Sequence, residues 1–433
     1  MDCANARRPL VIEQRIRYHV SMRLGTRART VALAALSVVA LGLTACGGTA
    51  GPLGDASQNS LDGGLTSEIE QAVSVAMELS GSTEAIVGVW QGEDSAYVQG
   101  FGDGVSANTK FRGAQATQPV ICALLLDLVD QGRLTLDREV AEDLPNQVGI
   151  EGITYGQLCT AKSGLADFKR NISQIFANNP TRAWAERELF AQGQAASPLS
   201  WPGLDVHISD TNAILLSRGL HALTGLQLGQ LLEEHVFSQA GMRSSSYPTD
   251  VLAATTLSGM TGLTRQFTNR TPVCDVDAVA VPKVSPSMLA GAGATVTTVT
   301  DLKNFYTAYL AGEFGGESAS VVTEASLTKN PERDKRGEPK EEVEASENSR
   351  YWAFGMERVG PLYGLSGSMT GTISAAYHDP ESGLSVVVAL NNSSTGGNFA
   401  RALAFELAAL SGADVPWSAE AQVASMEKLA VCR

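Results

Sequence analysis

The sequence predicts an α+β fold: an antiparallel sheet built from both chain ends, flanked by helices, with an inserted all-helical region. Strand-like runs lie near the start of the globular part and near its end, at 84–101 and 373–390, whereas helical patterns dominate between them. The nearly all-apolar segment 115–129 predicts a helix buried in the centre of a large domain. Strands grouped apart from helices favour α+β over an alternating parallel architecture.

The first elements follow from hydrophobic spacing. Residues 65–79 place Leu65, Ile69 and Val73 at helical intervals, which predicts an amphipathic helix. The runs 84–91 and 96–101 flank a Gly-Glu-Asp turn and predict a hairpin.

The rest of the chain has the same kinds of pattern. It predicts helices over 211–223, 228–237, 300–311 and 400–410, and strands over 373–378 and 384–390. Residues 329–350 are densely charged without an apolar period, which predicts an exposed loop.

Composition excludes several classes of protein. The 433 residues include 32 Lys+Arg against 46 Asp+Glu, a net charge of −14, and 44% are hydrophobic. A chain this apolar is not mostly disordered, and its acidity argues against nucleic acid as a partner. The five His and six Cys form neither a C-x-x-C pair nor a tight cluster, so we expect no metal site and no cofactor.

The first 45 residues have the pattern of an export signal. Seven Arg within residues 1–30 precede the apolar run 31–43. This run is too short to span a bilayer, which requires about 20 residues. The run ends in Leu43-Thr44-Ala45-Cys46, which resembles the bacterial lipobox. This implies acylation of Cys46, with membrane lipid as a partner and the outer face of the cell membrane as the location. The alternative is an ordinary signal peptide with a chance Cys.

The leader is long, and Met22 begins a compact version of it, so translation is expected to start there. Residues 47–64 are rich in Gly, Ser, Asn and Asp and have little to bury, so 46–64 is expected to be the acylated Cys and a flexible tether. The globular domain is therefore expected over 65–433.

Several segments, in order from about residue 65 to 410, resemble one family. They are Asp130–Asp137 (DQGRLTLD), Ile153–Leu158 followed by Ser163-Gly164-Leu165, Trp201-Pro202-Gly203, Ser209–Asn212, Phe237–Met242 and Tyr363–Ser374. Together they are similar to the serine β-lactamase-like superfamily, in its class C β-lactamase, D-alanyl-D-alanine carboxypeptidase and esterase branch. The resemblance implies a β-lactamase/transpeptidase-like fold.

The resemblance also implies where catalytic residues would stand. The family transfers acyl groups through a serine ester, with the Ser and a Lys three residues apart. Here those positions hold Gln115 and Gln118, and an amide is neither a useful nucleophile nor a base. The Tyr position is Ile208 in Ile208-Ser209-Asp210, and the cation position is Leu365 in Leu365-Ser366-Gly367.

The family's "HtSGL" His is replaced by Ala161, so no catalytic set is intact. Loss of a nucleophile alone costs on the order of 10⁶ in rate. Thr117 is expected to face away from the site. His207 could point towards it, but is more simply a surface or satisfied polar residue.

Three functions compete. The leading one is an inactive, lipid-anchored envelope protein with a neutral-to-acidic pocket formed by Gln115, Gln118, Ser209, Asp210 and Ser366. Such a pocket suits a peptide or a cell-wall fragment. Alternatively, the surface of the protein binds another envelope protein. The rival is an active hydrolase with a relocated nucleophile. The third is a scaffold whose pocket is filled by Ile208 and Leu365.

Four cysteines remain beyond Cys46, and an exported protein meets an oxidising compartment. Four Cys allow three connectivities. In the resembled fold the helices that carry Cys122 and Cys159 pack together, which favours Cys122–Cys159 and Cys274–Cys432. The alternative is that Cys122 and Cys159 are free, buried apolar residues.

Overall fold

The computed structural model describes residues 57–432. The predicted signal 1–45, the start at Met22, the acylated Cys46 and most of the tether lie outside these residues. The described residues form one nine-stranded antiparallel sheet with the spatial order β1-β3-β2-β9-β8-β7-β6-β5-β4. The strands are β1 Gln58–Asn59, β2 Ala85–Gln91, β3 Ser95–Phe101, β4 Ser326–Leu327, β5 Arg350–Trp352, β6 Glu357–Val359, β7 Leu362–Met369, β8 Thr372–His378 and β9 Leu384–Leu390.

Helices cover the sheet and fill the middle of the chain. They are α1 Gly63–Ser80, α2 Pro119–Asp130, α3 Tyr155–Cys159, α4 Ser173–Asn178, α5 Glu186–Gln194, α6 Thr211–Thr224, α7 Leu228–Leu232, α8 Val299–Leu310, α9 Gly397–Leu410 and α10 Ala419–Leu429. One turn of π-helix, Glu233–Phe237, directly follows α7.

Short strands pair outside the main sheet. They are Phe111–Arg112 with Val296–Thr297, Thr255–Thr256 with Lys283–Val284, Gly262–Thr264 with Val279–Val281, and Phe267–Thr268 with Thr271–Pro272.

The chain ends meet in the sheet, as the sequence predicts. β2 pairs with β9 in the register Ile86↔Ala389, so the N-terminal hairpin completes the C-terminal strands. Side chains alternate between two cores. Ile86 and Trp90 join the core that holds α2 and α8, whereas Val87 and Val89 join the core beneath α1, α9 and α10. The α+β prediction with an inserted helical region is confirmed.

The predicted tether extends too far into the chain. Gln58 and Asn59 pair with Val98 and Tyr97 of β3, and Leu61 lies in the core beneath α1. The Asp62 carboxylate caps α1 by accepting a hydrogen bond from the backbone N of Gly64, at 2.8 Å. The ordered part therefore begins before Leu65, because a single edge strand and one Leu are enough to fix this polar segment.

Two disulfide bonds join Cys122 to Cys159 and Cys274 to Cys432. The first fastens α2 to α3. The second fastens the segment after the Phe267–Pro272 hairpin to the residues that follow α10. These are the two pairs that the sequence analysis preferred.

Within residues 57–432, no helix has both the length and the apolar character needed to cross a membrane.

Candidate functional site

A pocket of about 710 Å³ lies where a tight turn, β7 and the starts of α6 and α9 converge. The turn is a 3₁₀ helix, Ala114–Thr117, that precedes α2. The sequence predicted a continuous helix from Gln115, but the regular helix starts at Pro119. Among the expected site residues, those that line the pocket are Gln115, Gln118, Asp210, Leu365, Ser366 and Gly367.

The turn that carries Gln115 is held from several sides. Ala114 has φ +47°, an uncommon conformation for a residue with a side chain. The Tyr306 hydroxyl of α8 donates to the carbonyl of Ala116 at 2.9 Å, and the Thr117 hydroxyl donates to the carbonyl of Ala114 at 2.8 Å. Thr117 thus faces inward to its own turn, away from the pocket, which fits the sequence expectation.

Glycine at position 367 lets β7 pass directly against this turn. A Cβ at that position would lie 2.3 Å from the backbone N of Gln115 and 2.4 Å from its Oε1. Any other residue would therefore displace either the strand or the Gln115 side chain.

The Gln115 side chain is hydrogen-bonded at both ends of its amide. Its Nε2 donates to Oδ2 of Asp210 at 2.6 Å. Its Oε1 accepts from the backbone N of Ser368 at 2.9 Å. The side chain is buried, so both groups of the amide are satisfied inside the protein. Gln115 therefore bridges the start of α6 and the edge of β7.

Lys169 forms an ion pair with Asp210 that the sequence analysis missed. Its Nζ lies 2.6 Å from Oδ2 of Asp210 and 3.8 Å from Oδ2 of Asp167. Asp167 also accepts from the backbone N of Asp210 at 3.1 Å, which fixes the loop against the start of α6. The only sequence signal was the charged run Asp167-Phe168-Lys169-Arg170 after Ser163-Gly164-Leu165, and it matches no family motif.

The charges of this cluster shift one another. Burial lowers the pKa of Lys169, but the charges of Asp210 and Asp167 outweigh burial and raise it above its usual value. Burial raises the pKa of Asp210, and Lys169 and the hydrogen bond from Gln115 oppose that increase. Lys169 is therefore protonated at neutral pH and cannot serve as a general base.

The positions of the family's Tyr, cation and His form an apolar cluster. Leu365 and Ala161 are buried together with Val206 and Trp352, and Ile208 packs against them. Leu365 also lines the pocket. Apolar side chains thus occupy the positions at which the resemblance implies proton-carrying groups.

Ser209 does not belong to the pocket wall, contrary to the prediction. Its Oγ accepts from the backbone N of Thr211 at 3.2 Å, so the hydroxyl turns towards the first turn of α6. The hydroxyl of Ser163 donates to Oδ1 of Asn212, and neither residue lines the pocket. His207 is also absent from the wall, and burial lowers its pKa.

The sequence predicted a neutral-to-acidic pocket, but the observed lining carries more basic than acidic side chains. Lys169, Arg170 and Arg270 line it with Asp167 and Asp210, so three bases face two acids. Arg170 lies in a 3₁₀ helix, Phe168–Asn171, and both arginines lie between the family motifs, so the motifs did not indicate them. Arg270 is in the turn of the Phe267–Pro272 hairpin, where its Nη2 donates to the carbonyl of Arg170 at 3.3 Å.

Comparison with known proteins identifies the family. The sequence model of the Beta-lactamase family matches residues 69–411, so the chain belongs to that family. Solved structures with this fold include a D-stereospecific amidohydrolase from Streptomyces sp., with 21% identity, a TM-score of 0.65, and coverage of 80% of this chain and 98% of that one.

Two further structures show the same fold. The octameric penicillin-binding protein homologue from Pyrococcus abyssi has 17% identity and a TM-score of 0.62, and the match covers 80% of this chain and 78% of that chain. The D-amino acid amidase from Ochrobactrum anthropi SV3 complexed with D-phenylalanine has 17% identity and a TM-score of 0.62, with coverage of 83% and 99%. The resemblance drawn from the sequence motifs is thereby confirmed at the level of family and fold.

Proposed function

We propose that this protein is a catalytically inactive member of the Beta-lactamase family that binds a peptide non-covalently in its pocket. The observation that carries the proposal is the Gln115 amide, which is held between Asp210 and the backbone N of Ser368. In the resembled enzymes this strand edge lies near the oxyanion. A neutral amide thus occupies the position of the nucleophile. It also accepts a hydrogen bond from the backbone N of Ser368 beside it.

No replacement nucleophile is evident in the pocket wall. The hydroxyl groups that line the described pocket belong to Ser173, Thr264, Ser366, Ser368, Thr370, Ser393, Ser394 and Thr395, and none of them is hydrogen-bonded to a Lys, His or Tyr side chain. Lys169 is paired with Asp210. An activated serine requires a base within hydrogen-bond reach, so this arrangement argues against the rival hydrolase.

The pocket is also not filled, which argues against a pure scaffold. Leu365 and Ile208 occupy one side, yet about 710 Å³ remains, within the size range of small-ligand sites.

The polar lining favours a peptide with a free carboxylate. Arg170 and Arg270 stand at the wall as exposed cations, and guanidinium groups bind carboxylates in a planar fork. Two structural neighbours are named as a D-stereospecific amidohydrolase and a D-amino acid amidase. We therefore propose a peptide of the cell-wall type that ends in a D-residue. Lipid anchoring through Cys46 at the outer face of the cell membrane is part of the same proposal and is supported by the sequence alone.

Covalent labelling tests the loss of catalysis. The chain from Gly47 to Arg433 is incubated with a fluorescent penicillin and with a fluorophosphonate, then denatured. We expect no label on the native protein and slow labelling of the double variant Gln115→Ser/Gln118→Lys, with Gln115→Ser alone as the matched control. A label on the native protein that maps to one Ser or Thr would contradict the proposal.

Calorimetric titration tests the ligand. We expect a peptide ending in D-Ala-D-Ala to bind more tightly than its C-terminal amide, because only the acid can pair with arginine. Arg270→Gln should weaken binding about tenfold or more, since a charge-assisted hydrogen bond contributes about 1.5–3 kcal/mol. The exposed Arg243→Gln is the control. Equal binding of acid and amide would rule out the carboxylate contact.

A further inference from the structure

A second cavity, of about 420 Å³, lies between α9 and α10. The family match ends at residue 411, whereas α10 begins at Ala419, so a segment outside the matched residues makes one wall of this cavity. The residues that line it include Arg401, Phe405, Trp417, Gln422, Ser425 and Lys428.

The cavity is basic in an acidic protein. Among residues 57–432, Arg401 and Lys428 line it and no Asp or Glu does, although acids outnumber bases 46 to 32 in the chain. Such a lining attracts anions and disfavours cations.

Arg401 belongs to a cluster with excess positive charge. The buried carboxylate of Glu357 accepts from Arg350, and its Oε2 lies 3.4 Å from Nη1 of Arg401. Two guanidinium groups thus share one carboxylate, which the Tyr377 hydroxyl also contacts. No further ion pair of these two guanidinium groups occurs among the described residues, so one positive charge remains uncompensated there. The side chain of Arg401 is 30% exposed, so it can meet a ligand.

An aromatic wall stands beside these cations. The rings of Phe405 and Trp417 stack with centroids 4.3 Å apart and an interplanar angle of 16°. The indole Nε1 of Trp417 donates to the carbonyl of Phe405 at 2.9 Å, which fixes the ring on α9. A fixed aromatic face next to a guanidinium suits a ligand that combines a flat apolar group with an anion.

We propose that this cavity is a second binding site, for a small carboxylate that carries an aromatic or similarly flat apolar group. The carboxylate pairs with Arg401 and Lys428, and the apolar group packs on Trp417 and Phe405. The amide and hydroxyl groups of Gln422, Asn348 and Ser425 supply further hydrogen bonds at the wall. The site does not depend on whether the first pocket is catalytic.

The probe is N-acetylphenylalanine, compared with its neutral amide and with inorganic phosphate. The chain from Gly47 to Arg433 is labelled with ¹⁵N at the indole nitrogens, and the Trp417 signal is followed during titration. We expect the acid to shift this signal saturably, and the amide and phosphate to bind at least fivefold more weakly. Binding of the amide as tight as the acid, binding of phosphate as tight as the acid, or no shift at all would overturn the proposal.

Variants on α10 locate the site without touching the Glu357 cluster. Lys428 is exposed, and Lys428→Gln should weaken the acid severalfold, whereas the exposed Lys283→Gln should leave its affinity unchanged. Ser425→Tyr should abolish the Trp417 shift by filling the cavity, with the melting temperature as a check of folding. Unchanged affinity in a folded Ser425→Tyr protein would place the ligand elsewhere and overturn the assignment.

Discussion

The Nζ of Lys169 lies 2.6 Å from Oδ2 of Asp210, the same oxygen that accepts from Gln115. Asp210 is buried, whereas the Lys169 side chain is 30% exposed. The carboxylate is therefore compensated by one partly hydrated cation and one neutral amide. The buried charge of Asp210 thus joins three segments: the turn that carries Gln115, the 3₁₀ helix that carries Lys169 and the start of α6.

Replacing Lys169 should destabilise the fold through Asp210. Removing one partner of a buried ion pair costs about 3–5 kcal/mol, and the partial exposure of Lys169 reduces this to about 2 kcal/mol for Lys169→Met. Lys169→Arg, which keeps the charge, is the control. The free energy of unfolding is measured by urea titration.

A double-mutant cycle separates this effect from simple packing. In an Asp210→Asn background, Lys169→Met should cost less than about 1 kcal/mol, because no buried charge is left unpaired. Additive losses in the two single variants and the double variant would show that the ion pair contributes nothing.

Much of the fold could be predicted because its signals are local. The helical spacing of apolar residues in 65–79 predicted α1, and two strand-like runs around a Gly-Glu-Asp turn predicted the β2–β3 hairpin. Each prediction lies within about two residues of the observed bounds. α10 was missed because only Met426 of its side chains is fully buried, so its apolar period is weak.

The site was harder to predict because its contacts are between distant segments. The positions of the family motifs in the sequence predicted that Gln115, Gln118 and Leu365 lie at the pocket, where the structure has them. The motif positions could not reveal Lys169 or Arg270, which reach the pocket from a 3₁₀ helix and a hairpin turn between the motifs. They also misplaced Ser209, because a hydroxyl beside a helix start can turn to the backbone instead of to the cavity.

Glu406 should make stability fall as pH rises. Burial, and then the charge of Glu420, raise the pKa of Glu406 to about 7, and its Oε2 has no partner among the described residues. Because the folded pKa exceeds the unfolded value, the folded state holds the proton more tightly. The stabilisation is fully present below about pH 4.5 and is lost as pH rises through about 7.

Glu406→Gln should therefore raise the free energy of unfolding at pH 8 by about 2 kcal/mol and change it little at pH 4.5. Chemical denaturation at both pH values measures the difference. Glu420→Gln is the control and should have a smaller effect on this pH dependence, because the charge of Glu420 is only the second cause of the raised pKa of Glu406. An equal gain at both pH values would point to packing and not to titration.

The segment before Leu65 should contribute to stability, although its composition predicts a tether. Leu61 is buried, and burying a Leu contributes about 1.5–3 kcal/mol. Loss of the Asp62 cap costs about 1 kcal/mol more. A chain that begins at Leu65 should thus be about 2–4 kcal/mol less stable than one that begins at Gly47, and a chain that begins at Ser57 should match the longer one. Equal melting temperatures for all three would restore the tether interpretation.

The two disulfides should differ in their reaction with reductant. Cys122 and Cys159 are buried, whereas Cys274 is exposed. A thiol reductant must reach the sulfur, so mild reduction of the folded protein should open Cys274–Cys432 first. Alkylation followed by peptide mass spectrometry should find label on Cys274 and Cys432 while Cys122 and Cys159 stay protected. Equal labelling of all four cysteines would mean that reduction follows global unfolding and not local access.

Removing the Cys274–Cys432 bond should destabilise the protein, because this bond closes a long loop of sequence separation 158. The free energy of unfolding of the variant Cys274→Ser/Cys432→Ser should be lower by about 2–4 kcal/mol. Hydrogen exchange should increase first in α10, which this bond fastens to the rest of the protein.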